Sequence, residues 1–280
     1  MESVVTRDEL WTRLDDPHTR IADARYSLKR PDAGRAAYAR EHIPGAVYLD
    51  LERDLSGPPG TRGRHPLPDP DTLARRLGEL GIGTGHRVIA YDDGEQMFAA
   101  RLWWLLRYLG HDDVSVLDGG FPAWRDAGLP VTSERPTHPR AIFEARVRDD
   151  LVAAREDVER MIDDREALLV DARAPARYRG DEEPIDPRAG HIPSAINLPH
   201  GDALDAGHFL PPDALRRQFA KAQGAGEVTV YCGSGVSATA CALAMERAGL
   251  PRPRVYIGSF SEWCQKPGAP VETGDEPAGD

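Results

Sequence analysis

The chain repeats itself, and this constrains its fold more than any other feature. Ile21-Ala22-Asp23-Ala24-Arg25 recurs as Leu169-Val170-Asp171-Ala172-Arg173, and His42-Ile43-Pro44-Gly45-Ala46 recurs as His191-Ile192-Pro193-Ser194-Ala195. Val88-Ile89-Ala90-Tyr91 answers to Val228-Thr229-Val230-Tyr231, and Gly119-Gly120-Phe121-Pro122-Ala123-Trp124 to Gly258-Ser259-Phe260-Ser261-Glu262-Trp263. Four blocks in one order, at a nearly constant separation, imply two copies of one structural unit. A chain of 280 residues is long enough for both copies to bury their own cores.

Each copy carries the alternation of an α/β domain. The apolar runs at 87–91 and 227–231 predict buried strands. A helix is expected after each, over 97–109 and 236–248, stopped by Gly110 and Gly249. Short strands at 114–117 and 254–257 follow. Strand, helix, strand at this spacing implies right-handed crossovers and a parallel sheet flanked by helices in each half. The domain limits are expected at 1–135 and 151–280, joined by a linker at 136–150 within a Pro- and charge-bearing stretch that begins at Thr132. The Gly-, Pro- and acid-rich tail from Gly268 is expected to be loosely ordered at its end.

Composition narrows the function. A formal net charge of -11 argues against a nucleic-acid binder, since phosphate attraction needs clustered positive charge. An anionic substrate needs a local basic pocket against that field. The first thirty residues are too charged for a signal peptide, and the apolar run around Leu102-Trp103-Trp104-Leu105-Leu106 is too short for a bilayer, so no membrane partner is expected. Three cysteines, at 232, 241 and 264, suit a reducing cytoplasm better than a disulfide scaffold and match no zinc-binding spacing.

The copies diverge after the matched tyrosines. Tyr91 is followed by Asp92, whereas Tyr231 is followed by Cys232, then Gly233-Ser234-Gly235-Val236-Ser237 and an alanine-rich helix. That order sets a thiol at the carboxyl end of a parallel strand, where α/β proteins bind ligands, and at the positive end of a helix. Amides of a glycine-containing loop can converge on the sulfur, and both effects favour the nucleophilic thiolate. A free cysteine is more often a small buried residue, and Cys241, among alanines inside the helix, fits that description. Cys264 is assigned no role.

The duplicated His-Ile-Pro blocks, the paired tryptophan blocks and the loop Cys-Gly-Ser-Gly-Val-Ser together resemble the tandem-domain rhodaneses. The loop is most similar to that of the 3-mercaptopyruvate sulfurtransferases, Cys-Gly-Ser/Thr-Gly-Val-Thr, with Ser237 in place of the last threonine. The resemblance implies two tandem rhodanese-like domains, an inactive N-terminal one with Asp92 at the nucleophile's position and a catalytic C-terminal one. It implies transfer of a sulfane sulfur from 3-mercaptopyruvate through a Cys232 persulfide to a thiol, thioredoxin or cyanide, with no metal or organic cofactor. Phosphatases on related folds close the loop with an arginine for the phosphate, and no arginine stands between Cys232 and Ala240 here.

Site residues follow from the same resemblance. The amides of Gly233, Gly235, Val236 and Ser237 would hold the charged sulfur, and Arg177 would grip the donor carboxylate. The second family arginine follows a Glu-Pro pair, but Glu183-Pro184 precedes Ile185, which leaves Arg188 to fill the role. Ser234, His65 and Glu52 would form a proton relay, with Asp50 a nearby substitute for Glu52. His42, His191 and the pairs Asp23/Arg25 and Asp171/Arg173 occur in both copies, which argues for scaffold roles. Thiosulfate:cyanide sulfur transfer is the alternative activity. A non-enzymatic persulfide relay is the alternative of another class. A redox-sensing Cys232 would need a resolving cysteine, which the sequence does not offer.

Overall fold

The computed structural model describes residues 2–275. It divides into two compact units, each built on a parallel sheet flanked by helices. One takes the chain up to Gly57, then Leu67–Asp149 and Asp205–Phe209; the other takes Pro58–Pro66, Asp150–Leu204 and the chain from Leu210 onward. Each unit therefore holds a short segment from the opposite half of the sequence.

In the first unit, strands β1 (Val4–Val5), β2 (Thr19–Asp23), β3 (Ala46–Tyr48), β4 (Arg87–Tyr91) and β5 (Val114–Leu117) lie in the order β1-β5-β4-β2-β3. Helices α1 (Arg7–Trp11), α2 (Ala33–Arg40), α3 (Pro70–Glu79), α4 (Met97–Tyr108) and α5 (Gly120–Asp126) alternate with them. α3 starts on Asp69, whose carboxylate accepts the Thr72 N–H, with Pro70 at the first helical position. α4 is apolar around most of its surface and is buried along its length, as such a helix must be.

The second unit repeats the plan. Its helices are α6 (Arg155–Met161), α7 (Pro175–Arg179), α8 (Pro212–Gln218), α9 (Ser237–Arg247) and α10 (Ser259–Trp263). Strands β6 (Ala167–Asp171), β7 (Ile196–Asn197), β10 (Glu227–Tyr231) and β11 (Arg254–Val255) lie in the order β11-β10-β6-β7. The two-residue strands β8 (Leu204–Asp205) and β9 (His208–Phe209) border the segment that joins the first unit. The counterpart of β1 is reduced to one parallel bridge, Val152 to Val255, reinforced by Arg254 donating to the Val152 carbonyl. The expected strand at 254–257 ends at Val255, because the chain turns there to reach Gly258 and α10.

The repeated sequence blocks become repeated interactions. Trp124 and Trp263 are fully buried and donate their indole N–H to Pro130 and Pro270, each at 2.8 Å. His42 stacks on Tyr38 and bonds its carbonyl; His191 does the same with Tyr178. These histidines tie the strand entry to the preceding helix, the scaffold role that their duplication implied. Gly110 and Gly249 follow α4 and α9 with φ of 83° and 77°, the left-handed stops expected of glycine. The tail is held as far as it is described, Glu272 exchanging backbone bonds with His191. The expectation of a loose end concerns 276–280, outside the described residues.

Candidate functional site

In both sheets the chain winds outward in opposite directions from the central pair, β2/β4 in the first unit and β6/β10 in the second. The carboxyl ends of that pair form the topological switch point, where ligands bind in open α/β sheets. β6 and β10 are in register to their last residues, Asp171 opposite Tyr231, so Cys232 emerges at the switch point itself.

A buried cluster fixes the strand ends below it. Asp171 and Arg173 form a forked ion pair, Oδ2 to Nη2 at 2.6 Å, and both are almost fully buried. The guanidinium lies 4.1 Å over the Phe260 ring and donates to the Gly190 carbonyl. The Tyr231 hydroxyl accepts the Ile192 N–H, and burial pushes its pKa far up, so it stays protonated. Asp23, Arg25, Phe121 and Tyr91 repeat the arrangement in the first unit.

Cys232 is 2% exposed. The Gly235 N–H donates to its sulfur at 3.1 Å, giving charge on that atom a hydrogen bond. The Cys232 N–H donates to Ser259 Oγ at 3.1 Å, and its carbonyl accepts the Phe260 N–H at 3.0 Å. Gly235 makes the turn at φ 76°, and a Cβ there would stand 2.4 Å from the Ile257 carbonyl oxygen. Gly235→Ala should therefore cost on the order of 2–4 kcal/mol and abolish turnover, as thermal melts and initial rates would register. A melt and rate like the parent's would mean that the loop relaxes around the methyl.

The same loop in the first unit holds a carboxyl group, whose pKa burial raises against the lowering effect of the amides around it. Asp92 is fully buried, and its carboxylate accepts N–H groups from Gly94, Gln96, Phe98 and Ala99 at 2.9–3.1 Å. The two loops turn differently, Gln96 being left-handed where Val236 is not. The first loop aims four amides at the side chain that follows the central strand and the second aims that of Gly235, with α4 and α9 beginning just beyond.

Of the remaining expected site residues, the structure brings several together. Ser234 Oγ lies 2.8 Å from His65 Nδ1, both buried, because Pro58–Pro66 belongs to the second unit. Val236 caps α9 and Ser237 begins it. Arg177, on α7, stands over the loop: a Cβ on Gly233 would be 3.1 Å from its Nη1 and 3.0 Å from Nη2 of Arg64. Glu183 grips Arg177, its Oε1 accepting from Nη2 at 2.7 Å, and Asp186 Oδ2 accepts from the same Nη2 at 2.9 Å. Burial raises the Glu183 pKa, but Arg177 and the Asp186 and Ile185 amides outweigh it and hold the carboxyl below the usual range. Arg188 turns instead to the Ala269 carbonyl, 2.7 Å from its Nη1. Glu52 is an exposed residue of the first unit, and Asp50 is occupied by the backbone N–H groups of Glu52 and Arg53.

Two residues went unanticipated. Arg64 pairs with Asp186 through Nη1 and donates its backbone N–H to Ser261 Oγ. Ser259 adopts φ 54°, left-handed for a residue that is not glycine, stabilised by its bonds to Cys232 and the Tyr256 carbonyl. Gly120 stands at the matching place in the first copy, at φ 58°, which was the available signal. The other two thiols are ordinary: burial pushes the pKa of Cys264 up to about 11 and that of Cys241 higher still.

Fold and loop define a class: two-copy parallel α/β proteins that present a cysteine at the head of a helix. Comparison with known proteins narrows it. The rhodanese-like domain family matches residues 6–127 and 154–266. The chain is 43% identical over 279 residues to a probable 3-mercaptopyruvate sulfurtransferase of Pseudomonas aeruginosa, covering 97% of this chain and 98% of that protein. It is 41% identical over 260 residues to a putative thiosulfate sulfurtransferase of Mycobacterium tuberculosis, covering 91% and 90%. The crystal structure of the 3-mercaptopyruvate sulfotransferase SseA from Escherichia coli matches with a TM-score of 0.81 at 33% identity, over 94% of this chain and all of that one. The chain belongs to the rhodanese family and is a sulfurtransferase. Among the described residues, no helix is long and apolar enough to cross a membrane.

Proposed function

We propose that the protein moves sulfur from 3-mercaptopyruvate to an acceptor through a persulfide on Cys232, and that the first copy, with Asp92 at the matching place, is catalytically silent. The observation that carries this reading is the Gly235 N–H aimed at the Cys232 sulfur from an uncharged loop at the head of α9. The Cys232 thiolate attacks the donor sulfur. The donor's carbon–sulfur bond breaks, and its electron pair becomes the pyruvate enolate. Ser234 and His65 take the donor's thiol proton and return it to the enolate carbon, leaving pyruvate and a persulfide anion. An imidazole hydrogen-bonded to a loop hydroxyl suits that shuttle. Amides of Gly233, Gly235, Val236 and Ser237 hold the charged sulfur. Arg177 orients the donor carboxylate. A thiol, thioredoxin or cyanide then removes the outer sulfur, giving two-step kinetics. Three free, buried cysteines support a cytoplasmic setting, which cell fractionation would check.

The test compares specificity constants for 3-mercaptopyruvate and thiosulfate, then repeats them with Arg177→Ala and His65→Ala. The parent should favour 3-mercaptopyruvate. Arg177→Ala should lower that constant at least about tenfold, and His65→Ala should impair 3-mercaptopyruvate more than thiosulfate, which brings no thiol proton. A clear preference for thiosulfate, indifferent to Arg177, would replace the donor and leave the sulfurtransferase in place.

A further inference from the structure

The donor reading leaves one gap. A family member at this site is expected to hold a carboxylate with two arginines, yet Ile185 stands where the second should be and Arg188 is turned to the tail. The structure supplies another guanidinium. Nη2 of Arg64 and Nη1 of Arg177 converge on the same face of the loop, both about 3 Å from a Cβ built on Gly233. Both already hold a carboxylate between them: Asp186 accepts from Arg64 through Oδ1 and from Arg177 through Oδ2, and its side chain is 2% exposed.

The two acids around this pair differ in how they are anchored. Glu183 is fixed by Arg177, by Arg173 at 3.4 Å and by the backbone N–H groups of Ile185 and Asp186. It orients Arg177 from behind. The carboxylate contacts of Asp186 are the two guanidinium groups, and the residue sits in the irregular stretch between α7 and β7. Exchanging it for another monocarboxylate preserves the charge balance of the buried cluster and the planar geometry that guanidinium groups prefer. A dianion such as thiosulfate would change that charge balance by one.

We propose that Arg64 is the second arginine of the donor-carboxylate grip, and that Asp186 occupies this grip as an internal carboxylate until the donor's carboxylate displaces it. The inference rests on the loop of Cys232 being the donor site. It makes Arg64 a binding residue and Asp186 a built-in competitor that favours monocarboxylate donors over thiosulfate.

Pyruvate carries the carboxylate without the transferable sulfur, so its binding reads the grip apart from the chemistry. Its affinity is measured by calorimetry on Cys232→Ser protein, alone and combined with Arg64→Gln, Arg64→Lys or Asp186→Asn, with melting curves to establish that each variant is folded. Arg64→Gln should weaken binding at least about tenfold, Arg64→Lys should recover part of the loss, and Asp186→Asn should tighten binding about threefold or more. In otherwise unaltered enzyme, Arg64→Gln should raise KM for 3-mercaptopyruvate while kcat stays within about twofold. Pyruvate binding indifferent to Arg64, or weakened by Asp186→Asn as a mere prop for the arginines would be, overturns the proposal. A parent enzyme that prefers thiosulfate yet still shows the pyruvate pattern would sink the donor assignment and the donor preference drawn from Asp186, and leave the carboxylate site of Arg64 and Arg177 standing.

Discussion

Replacing Cys232 by serine is expected to reduce sulfur transfer at least about 10⁴-fold, to the background rate, while leaving the fold intact. The hydroxyl is close in size to the thiol and still offers an acceptor to the Gly235 N–H. The backbone bonds of residue 232, to Ser259 Oγ and from Phe260, do not involve the side chain. Stability should therefore change by less than about 1 kcal/mol. What is lost is a polarizable, nucleophilic atom that forms a labile bond to a second sulfur. Mass spectrometry after mixing with donor should find the parent's Cys232 peptide heavier by one sulfur, and the serine variant's unchanged. Transfer retained by the variant would move the chemistry to another residue.

The second large effect concerns stability. Asp171→Ala should destabilise the second unit by about 3–5 kcal/mol, because it removes the forked partner of the buried Arg173 guanidinium and leaves it only the longer carboxylate contact to Glu183 at 3.4 Å. The forked ion pair is almost wholly buried, beneath the β6 and β10 ends from which the Cys232 loop departs. Asp23→Ala should act alike on the first unit, where Arg25 lies 4.2 Å over Phe121. With two units present, urea denaturation should show an early transition for the affected one rather than a single shifted curve. Replacing both partners, Asp171→Ala with Arg173→Met, should recover part of the loss, since no uncompensated charge then remains buried. A single replacement costing under about 1 kcal/mol would show that water or another group neutralises the arginine.

The parts of the site that were legible in sequence are those that local chain order creates. A strand, a cysteine, a glycine loop and a helix in succession put the thiol at a helix N-terminus whatever surrounds them, and the duplicated blocks marked the buried pairs beneath as scaffold. Arg188 was misleading because proximity in sequence does not aim a long side chain: it lies two residues from Asp186, yet donates to Ala269. Arg64 was invisible for the opposite reason. It is 122 residues from Asp186, and nothing in its Gly-Arg-His-Pro neighbourhood tells which carboxylate it meets. The left-handed Ser259 lay between these cases, hidden by its own identity and visible only through Gly120 in the other copy.

Sequence alone therefore settled the number of copies, their α/β pattern and the place of the cysteine, because periodicity and chain order act over a few residues and survive any packing. Tertiary structure decided which charges meet over the loop, and that Pro58–Pro66 serves the second unit rather than the first. Those outcomes depend on distances between chain segments remote in sequence, which packing sets and residue type does not.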